Sequence, residues 1–433
     1  MGLHVIDEAK RCLNCKKPRC QEGCPIHTPI PVMIQMLLQG EMPEAAEMVF
    51  ANNPLSVICS LVCDHEKQCE GHCVKGIKGE PVHISSIENY ISDTCFDRMK
   101  LEQLPKNGKR IAVVGAGPAG ITIAILMACR GYKVTIFEVK EKIGGIMRYG
   151  IPEFRLPKEK VVKAEIDNLR KLGVEIVVNS IAGKIFNIDE LMSEEGFDAV
   201  FIGTGAGLPF FMDIPGESLN GVYAANEFLT RCNLMKAYKS IEYGTPIHVG
   251  KKVAVVGGGN VAMDAARTAL RLGAEDVYIV YRRGPEEVPA RAEEVHHAKE
   301  EGIIFKLLTN PVKIEGEDGW VKSMECVEME LGEPDASGRR RPIAKEGSNF
   351  TIETGTVIVA IGQSPNPLIR HTTPGLDCQS WGGIIVDEDK IPVRKEVRGF
   401  CNILGFDPLC LANEGKLIAF VDKTDTSNVL DIM

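Results

Sequence analysis

Two copies of one pattern dominate the sequence: an apolar β-prone run, a glycine-rich turn, a helix-length segment and a second apolar run. The first copy is KRIAVVGAGPAGITIAILMACRGYKVTIFE, residues 109–138, and the second is KKVAVVGGGNVAMDAARTALRLGAEDVYIVYRR, residues 251–283. Each reads as strand, turn, amphipathic helix ending near Gly131 or Gly273, and strand. A helix joining two strands makes them parallel and places helices on both faces of a buried sheet. In the first turn Gly115 permits the tight bend, Gly117 lets the backbone approach a pyrophosphate, and Gly120 lets the helix pack closely on the strand. The helix start supplies unpaired N–H groups and a positive dipole end to phosphate. Glu138 closes the second strand of this copy, 18 residues past Gly120, where an acid binds ribose hydroxyls.

The second turn reads Gly257-Gly258-Gly259-Asn260-Val261-Ala262, with alanine where the first copy has its third glycine. Its closing strand ends in Arg282-Arg283 instead of an acid. An acid there repels a 2′-phosphate, whereas arginine pairs with one in two-pronged fashion. The second copy is therefore expected to take NADP(H) over NAD(H); the competing reading makes both arginines a solvated strand end.

The 15 cysteines are unevenly placed, with eight in the first 73 residues. One group is Cys12-x2-Cys15-x4-Cys20-x3-Cys24-Pro25, and the other contains Cys63-x5-Cys69-x3-Cys73, with Cys59 just before it. Short spacings let successive thiolates converge, and a proline directly after the last cysteine recurs in iron–sulfur runs. Zinc competes, since four-cysteine zinc sites also use short spacings, but these pair two CxxC knuckles and only one CxxC occurs here. Inert buried thiols are the third reading. The N-terminus MGLHVIDEAKRC lacks a charged-then-apolar signal, so a cytoplasmic protein with metal-bound cysteines is expected over an exported disulfide framework.

Length and charge set the frame around these motifs. A chain of 433 residues suggests about three domains. A net charge of −9 without a long basic run argues against nucleic acid or an anionic membrane as partner. Residues up to about 105 read as Cys-rich and helical, with apolar residues at helical spacing in 30–50 and a Gly40/Pro43 break. Val174–Val178 and Ala199–Ile202 read as short buried strands. Lys322–Leu331 and GEPDASGRRRP read as hairpin segments leading to TVIVAIGQ, which is expected to return to the first sheet. The layout suggests one dinucleotide domain inserted into another. No Ser–His–Asp, metal-hydrolase or amidotransferase arrangement is visible, and no catalytic side chain is singled out. His296 and His297 are expected on a solvated helix face.

CLNCKKPRCQEGCP, NPLSVICSLVC, GGIMRYGIPEFRLP, VVGGGNVAMDAART, VYRR and AIGQ together resemble the small (β) subunit of NADPH-dependent glutamate synthase. The architecture is shared with the large subunit of NADH-dependent ferredoxin–NADP oxidoreductase, with sulfide dehydrogenase, and with the N-terminal half of dihydropyrimidine dehydrogenase. The likeness runs in order to about residue 387. It implies an α/β protein: an N-terminal all-α iron–sulfur domain, then two Rossmann-like dinucleotide-binding domains, the NADP(H) domain inserted in the FAD domain. The implied segments are 1–105 for two [4Fe–4S] clusters, 106–245 and 356–433 for FAD, and 246–355 for NADP(H).

The resemblance also implies site residues. Cys12, Cys15, Cys20 and Cys73 would share one cluster, and Cys24, Cys63, Cys69 and Glu88 the other, leaving Cys59 without a role. A carboxylate ligand such as Glu88 adds negative charge and should lower that cluster's potential. For FAD the implied residues are Gly115, Gly117, Ala119, Gly120, Glu138, Gly145, Ile146 and Arg155; for Arg155 the bland alternative is a surface salt bridge. For NADP(H) they are Gly257, Gly259, Asn260, Val261, Arg282, Arg283, Ala360 and Gly362, with the AIG backbone against the nicotinamide half. After Gly382–Asp387 the chain departs from the family's closing GGD turn and helix, and Cys378, Cys401 and Cys410 appear instead. Divergence or a shifted reading frame after about residue 390 is expected, with weakened FAD binding. The expected activity is electron transfer from NADPH to a partner, the glutamate synthase large subunit or another flavin/iron–sulfur subunit, in a hetero-oligomer. An alternative of another class is a non-enzymatic iron–sulfur module that has lost FAD.

Overall fold

A computed structural model describes residues 2–96, 102–334 and 338–386. The atypical C-terminal stretch, with Cys401 and Cys410, lies outside the described residues. The chain divides into two compact units. Among the described residues, unit 1 holds those through Gly144, then 159–205, then 366–386; unit 2 holds 145–158 and 206–365 and is inserted within unit 1.

Unit 1 begins with helices α1 (Gly2–Lys10), α2 (Arg19–Glu22), α3 (Ile30–Gln39), α4 (Met42–Asn52), α5 (Ser56–Val62) and α6 (Ile84–Cys95). The α3/α4 break falls at Gly40 and Pro43. Gly40 takes φ +85°, caps α3 and bonds back to Leu37 and Met36, and Pro43 sits in the first turn of α4. Apolar stripes of α3, α4 and α6 meet in a core of Met33, Ile34, Leu37, Val49, Ile87 and Ile91. Each such side chain contributes roughly 1.5–3 kcal/mol on leaving water.

The first copy of the repeat follows: β1 (Arg110–Val114), α7 (Pro118–Cys129) and β2 (Lys133–Phe137). After α8 (Ile146–Tyr149), which belongs to unit 2, come α9 (Lys163–Lys171), β3 (Glu175–Val177), α10 (Ile188–Ser193) and β4 (Ala199–Ile202). The sheet order is β3-β2-β1-β4, all parallel. Its strands read as continuous apolar runs because both faces are covered. α7 is less amphipathic than expected: between Pro118 and Cys129 it has no charged residue, and half of it is fully buried.

Unit 2 contains β5 (Ala206–Pro209), β6 (Val222–Ala224), α11 (Ala225–Asn233), α12 (Ser240–Tyr243), β7 (Lys252–Val256), α13 (Asn260–Arg271), β8 (Asp276–Tyr281), α14 (Ala292–Glu300) and β9 (Ile304–Leu307). Then come β10 (Thr309–Glu317), β11 (Trp320–Pro334), β12 (Arg340–Ala344), β13 (Phe350–Glu353), β14 (Thr356–Val359) and β15 (Gln363–Pro365). A five-stranded parallel sheet runs β6-β14-β7-β8-β9. β10–β13 form an antiparallel sheet, with β11 and β12 making the expected hairpin pairing.

One expectation fails here. TVIV, as β14, does not return to the first sheet; it pairs in parallel with β7 and β6 in the second. Val357–Val359 are at most 2% exposed, so this strand needs covered faces and finds them beside β7. It stands to β7 as β4 stands to β1. β6 also pairs with β14, and the main stretch of unit 2 runs 206–365, wider than 246–355, with 145–158 besides. Short apolar strands carry no mark of which parallel sheet they will join.

Glu165 on α9 is fully buried, and neither carboxylate oxygen has a hydrogen-bond partner in good geometry. Burial pushes its carboxyl up to about 8, with only partial opposition from Asn168. An unfolded chain releases this proton near pH 4.5 while the fold holds it to about 8, so the fold loses stability as pH rises across that window. Glu165→Gln should therefore gain melting temperature over the native chain progressively from pH 5 to pH 8, by a few degrees. A pH-independent difference would contradict this.

Candidate functional site

The two glycine turns are built alike. Gly115 has φ +104°, and a Cβ there would stand 2.5 Å from the Gly203 carbonyl oxygen just beyond β4. Gly257 has φ +142°, and a Cβ would stand 2.3 Å from the Ala360 carbonyl oxygen just beyond β14. Both turns thus press against the end of the neighbouring strand, where a side chain would force them apart. The second glycine behaves differently: a Cβ at Gly117 or Gly259 would meet nothing within 4 Å. These residues cap α7 and α13, and neither cap uses a side chain, so the first-turn N–H groups are left for a ligand. Gly120 lies so close to Gly115 that a Cβ would strike its carbonyl, while Ala262, in the equivalent place, is fully buried. Ala119 and Val261, beside these positions, are exposed. This open cradle fits the phosphates of a dinucleotide in both units.

Glu138 is buried at the end of β2. Its Oε2 accepts from Ala116 N–H at 2.8 Å and its Oε1 from Lys140 N–H at 2.9 Å, which ties the acid to the first turn. Each oxygen keeps a second lone pair for a ribose hydroxyl. Gly144 N–H donates to Ala116 O, bringing the GG run back to the same turn.

In unit 2 the paired arginines part company. Arg282 is exposed, whereas Arg283 is 8% exposed and donates its Nε to Arg340 O at 3.0 Å. Gly362 has φ +116° and accepts from Phe210 N–H, holding the AIG segment next to β5. Gly145 caps α8 with Ile146 partly exposed behind it.

Arg155 lies in a buried ionic network within unit 2. Its Nη1 meets Asp264 Oδ2 at 2.7 Å, and its Nε lies 2.9 Å from Glu294 Oε1, an ion pair not aligned as a hydrogen bond. Arg267 joins Glu294 and Glu301, each at 2.9 Å, and the guanidinium groups of Arg267 and Arg271 lie over the Phe154 ring. Segment 145–158 is thereby stapled to α13 and α14. Burial pushes Asp264 up to about 6 against the pull of Arg155, and pushes Lys158 down to about 8 against Glu153 and Asp264. Of these partners the sequence marked only Arg155. His296 is exposed and His297 half-buried on α14.

Among the helices, Cys12, Cys15, Cys20 and Cys73 line one small cavity, walled by Ile30, Pro31, Ile34 and Ile84, with Arg19 and Lys75 at its side. Burial pushes the Cys20 thiol up to about 11 and the Cys12 thiol upward, and neighbouring thiols add to both shifts. Four convergent thiols in an apolar wall fit an iron–sulfur cluster, whose binding would release the protons that burial retains. In the second group, Cys69 lies within electrostatic reach of Glu88 and Cys24. Glu88 on α6 is 7% exposed, and burial pushes it up to about 7. Cys63 contacts Gln68 Oε1 at 2.7 Å. The resemblance gives Cys59 no role, yet its thiol lies within reach of Glu88, Cys63 and Cys24, and burial pushes it up to about 12. Its spacing of four from Cys63, one helical turn on α5, was the available signal.

A cysteine-bearing helical region followed by two open dinucleotide turns defines a pyridine-nucleotide oxidoreductase with an iron–sulfur domain. Residues 87–392 match the pyridine nucleotide-disulphide oxidoreductase family, and residues 2–100 match dihydropyrimidine dehydrogenase domain II, 4Fe–4S cluster. The glutamate synthase [NADPH] small chain of Escherichia coli is 36% identical over 387 residues, covering 88% of this chain and 81% of the relative. The NADP(+)-dependent formate dehydrogenase subunit beta of Moorella thermoacetica is 38% identical, over 80% of this chain and 51% of its own length. In fold the chain is similar to Mycobacterium tuberculosis FprA in complex with NADPH, with TM-score 0.54 and 23% identity over 68% of this chain and 77% of FprA. The chain belongs to the family of the glutamate synthase small chain, and its cofactors are FAD, NADP(H) and [4Fe–4S] clusters. Among the described residues no single helix is long and apolar enough to cross a membrane.

Glu88 is the expected ligand and Cys59 lies within its reach, and paired variants separate the two. Glu88→Ala should lower bound iron toward one cluster per chain and remove one EPR signal, while Cys59→Ser should leave both intact. The reverse outcome would make Cys59 the ligand.

Proposed function

We propose that this chain is the small subunit of an NADPH-dependent glutamate synthase. It would feed electrons to a larger partner that forms two glutamates from glutamine and 2-oxoglutarate. The reading rests on one combination, two open glycine turns and a four-thiol cavity in a single chain. When bound, FAD and two [4Fe–4S] clusters turn a two-electron hydride donor into a source of single electrons. The chain's residues supply binding and orientation. In unit 2, Gly257, Gly259, Asn260 and Val261 seat the NADPH pyrophosphate. Exposed Arg282 pairs with the 2′-phosphate, with buried Arg283 supporting the strand end, and the backbone of Ala360 and Gly362 faces the nicotinamide half. In unit 1, Gly115, Gly117, Ala119 and Gly120 seat the FAD pyrophosphate and Glu138 takes its ribose.

The thiolates of Cys12, Cys15, Cys20 and Cys73 hold one cluster, and Cys24, Cys63, Cys69 and Glu88 the other. The work is positioning and tuning, with no acid–base side chain required. The 38% identity to a formate dehydrogenase subunit favours a second reading, in which the same electron-input module serves a different large subunit.

The test is reconstitution. Alone, the chain should show NADPH-dependent dye reduction only. With a glutamate synthase large subunit it should support NADPH-driven glutamate formation, whereas coupling only to a formate-oxidising subunit would establish the second reading. Arg282→Ala should raise the KM for NADPH by roughly 10- to 100-fold, the worth of a charge-assisted hydrogen bond, and leave that for NADH unchanged. Equal effects on both would remove Arg282 from cofactor selection.

A further inference from the structure

Arg291 precedes α14 as its cap and is 5% exposed. A guanidinium carries five N–H donors, and burying it is costly unless they are matched. Arg291 matches few of them. Its Nη2 pairs with the half-exposed carboxylate of Glu293, while Nε and Nη1 are both buried without a hydrogen-bond partner. The comparison within unit 2 is direct: Arg267 is equally buried and is held by two carboxylates. Among the described residues, Arg110 and Arg155 each leave only Nε without a hydrogen bond, whereas Arg291 leaves two nitrogens.

Its backbone is fastened to the second glycine turn. Arg291 N–H donates to Asn260 Oδ1 at 2.9 Å, and Ala290 N–H donates to Gly258 O at 3.1 Å. Asn260 is the first residue of α13, and Gly259, its cap, has open space where a Cβ would be. The residue that carries these spare donors is thus bonded through its own and Ala290's backbone N–H to the turn and first residue of a twelve-residue helix whose first N–H groups lack side-chain caps.

We propose that Arg291 donates to the pyrophosphate of NADP(H) at this turn. The inference rests on the reading that unit 2 takes NADP(H), and it adds a ligand that the motif does not contain. The pyrophosphate is the natural partner because both anchors lie on the turn that receives it, whereas the 2′-phosphate belongs at the end of β8, where Arg282 stands. An anion there matches donors that the protein leaves unmatched, and desolvation makes each such charge-assisted bond stronger. Glu293, itself half-exposed, holds one of the guanidinium nitrogens.

Calorimetric titration of the cofactor-loaded protein with NADP+ and with 2′-AMP, which has the 2′-phosphate but no pyrophosphate, tests this. Arg291→Gln should weaken NADP+ binding by roughly 10- to 100-fold, as the loss of a hydrogen bond to a charged group predicts, and leave 2′-AMP binding unchanged. Arg282→Ala should weaken both. Arg291→Lys, which keeps the charge and loses the fork, should fall between the native protein and Arg291→Gln. Native-like flavin content, iron content and circular dichroism establish that the variants fold. Unchanged NADP+ affinity in folded Arg291→Gln would overturn the assignment, as would equal losses for NADP+ and 2′-AMP. Native protein that binds no NADP+ would overturn the reading of unit 2 itself.

Discussion

Everything functional in this chain depends on a backbone contact made twice. In each dinucleotide unit the first glycine of the turn presses on the carbonyl that follows the adjacent parallel strand, Gly203 for Gly115 and Ala360 for Gly257. Only a residue without Cβ, in a left-handed conformation, permits that approach. The contact fixes where the helix starts, and the helix start fixes where its uncapped N–H groups lie. Strand pairing enforces it from below: β4 and β14 lie parallel beside β1 and β7 over four residues each. A ligand-binding turn is thereby held by the sheet and not by its own loop.

The parts legible in the sequence were local ones. A turn's glycines and the break at Gly40 and Pro43 lie within short stretches whose spacing carries the geometry, whereas Cys73 joins Cys12, Cys15 and Cys20 from a separate group, a pairing that only the resemblance implied. What escaped was tertiary. The run TVIV has the composition of any buried parallel strand, and nothing in it distinguishes a place beside β7 from one beside β1. Its likeness to AVFI-GTG was available, since both are apolar strands leading into a glycine next to a dinucleotide turn. Asp264, Glu294 and Arg267 read as ordinary polar positions on two helices, and only the packing of those helices joins them to Arg155. The ligand set that the resemblance implies gives Cys59 no role, yet its helix places it beside three proposed ligands.

The buried charges of unit 2 deserve a physical account because they are expensive. Asp264, Arg267 and Glu294 are each at most 7% exposed, and apolar residues of similar shape would often stabilise the fold as well. Their geometry fits positioning. They clamp the FRLP segment, through Phe154 and Arg155, onto the helix that bears the glycine turn. Removing one member leaves its partner charged and unpaired, so the network holds as a set.

The central claim is that one chain carries a nucleotide-fed flavin and iron–sulfur clusters together. Its most direct test is the anaerobic absorbance spectrum of the purified protein, with flavin and iron quantified and NADPH then added. The account predicts bound FAD, iron for two clusters, and bleaching of the flavin band near roughly 450 nm by NADPH. Iron without flavin, or flavin that NADPH leaves oxidised, would contradict it.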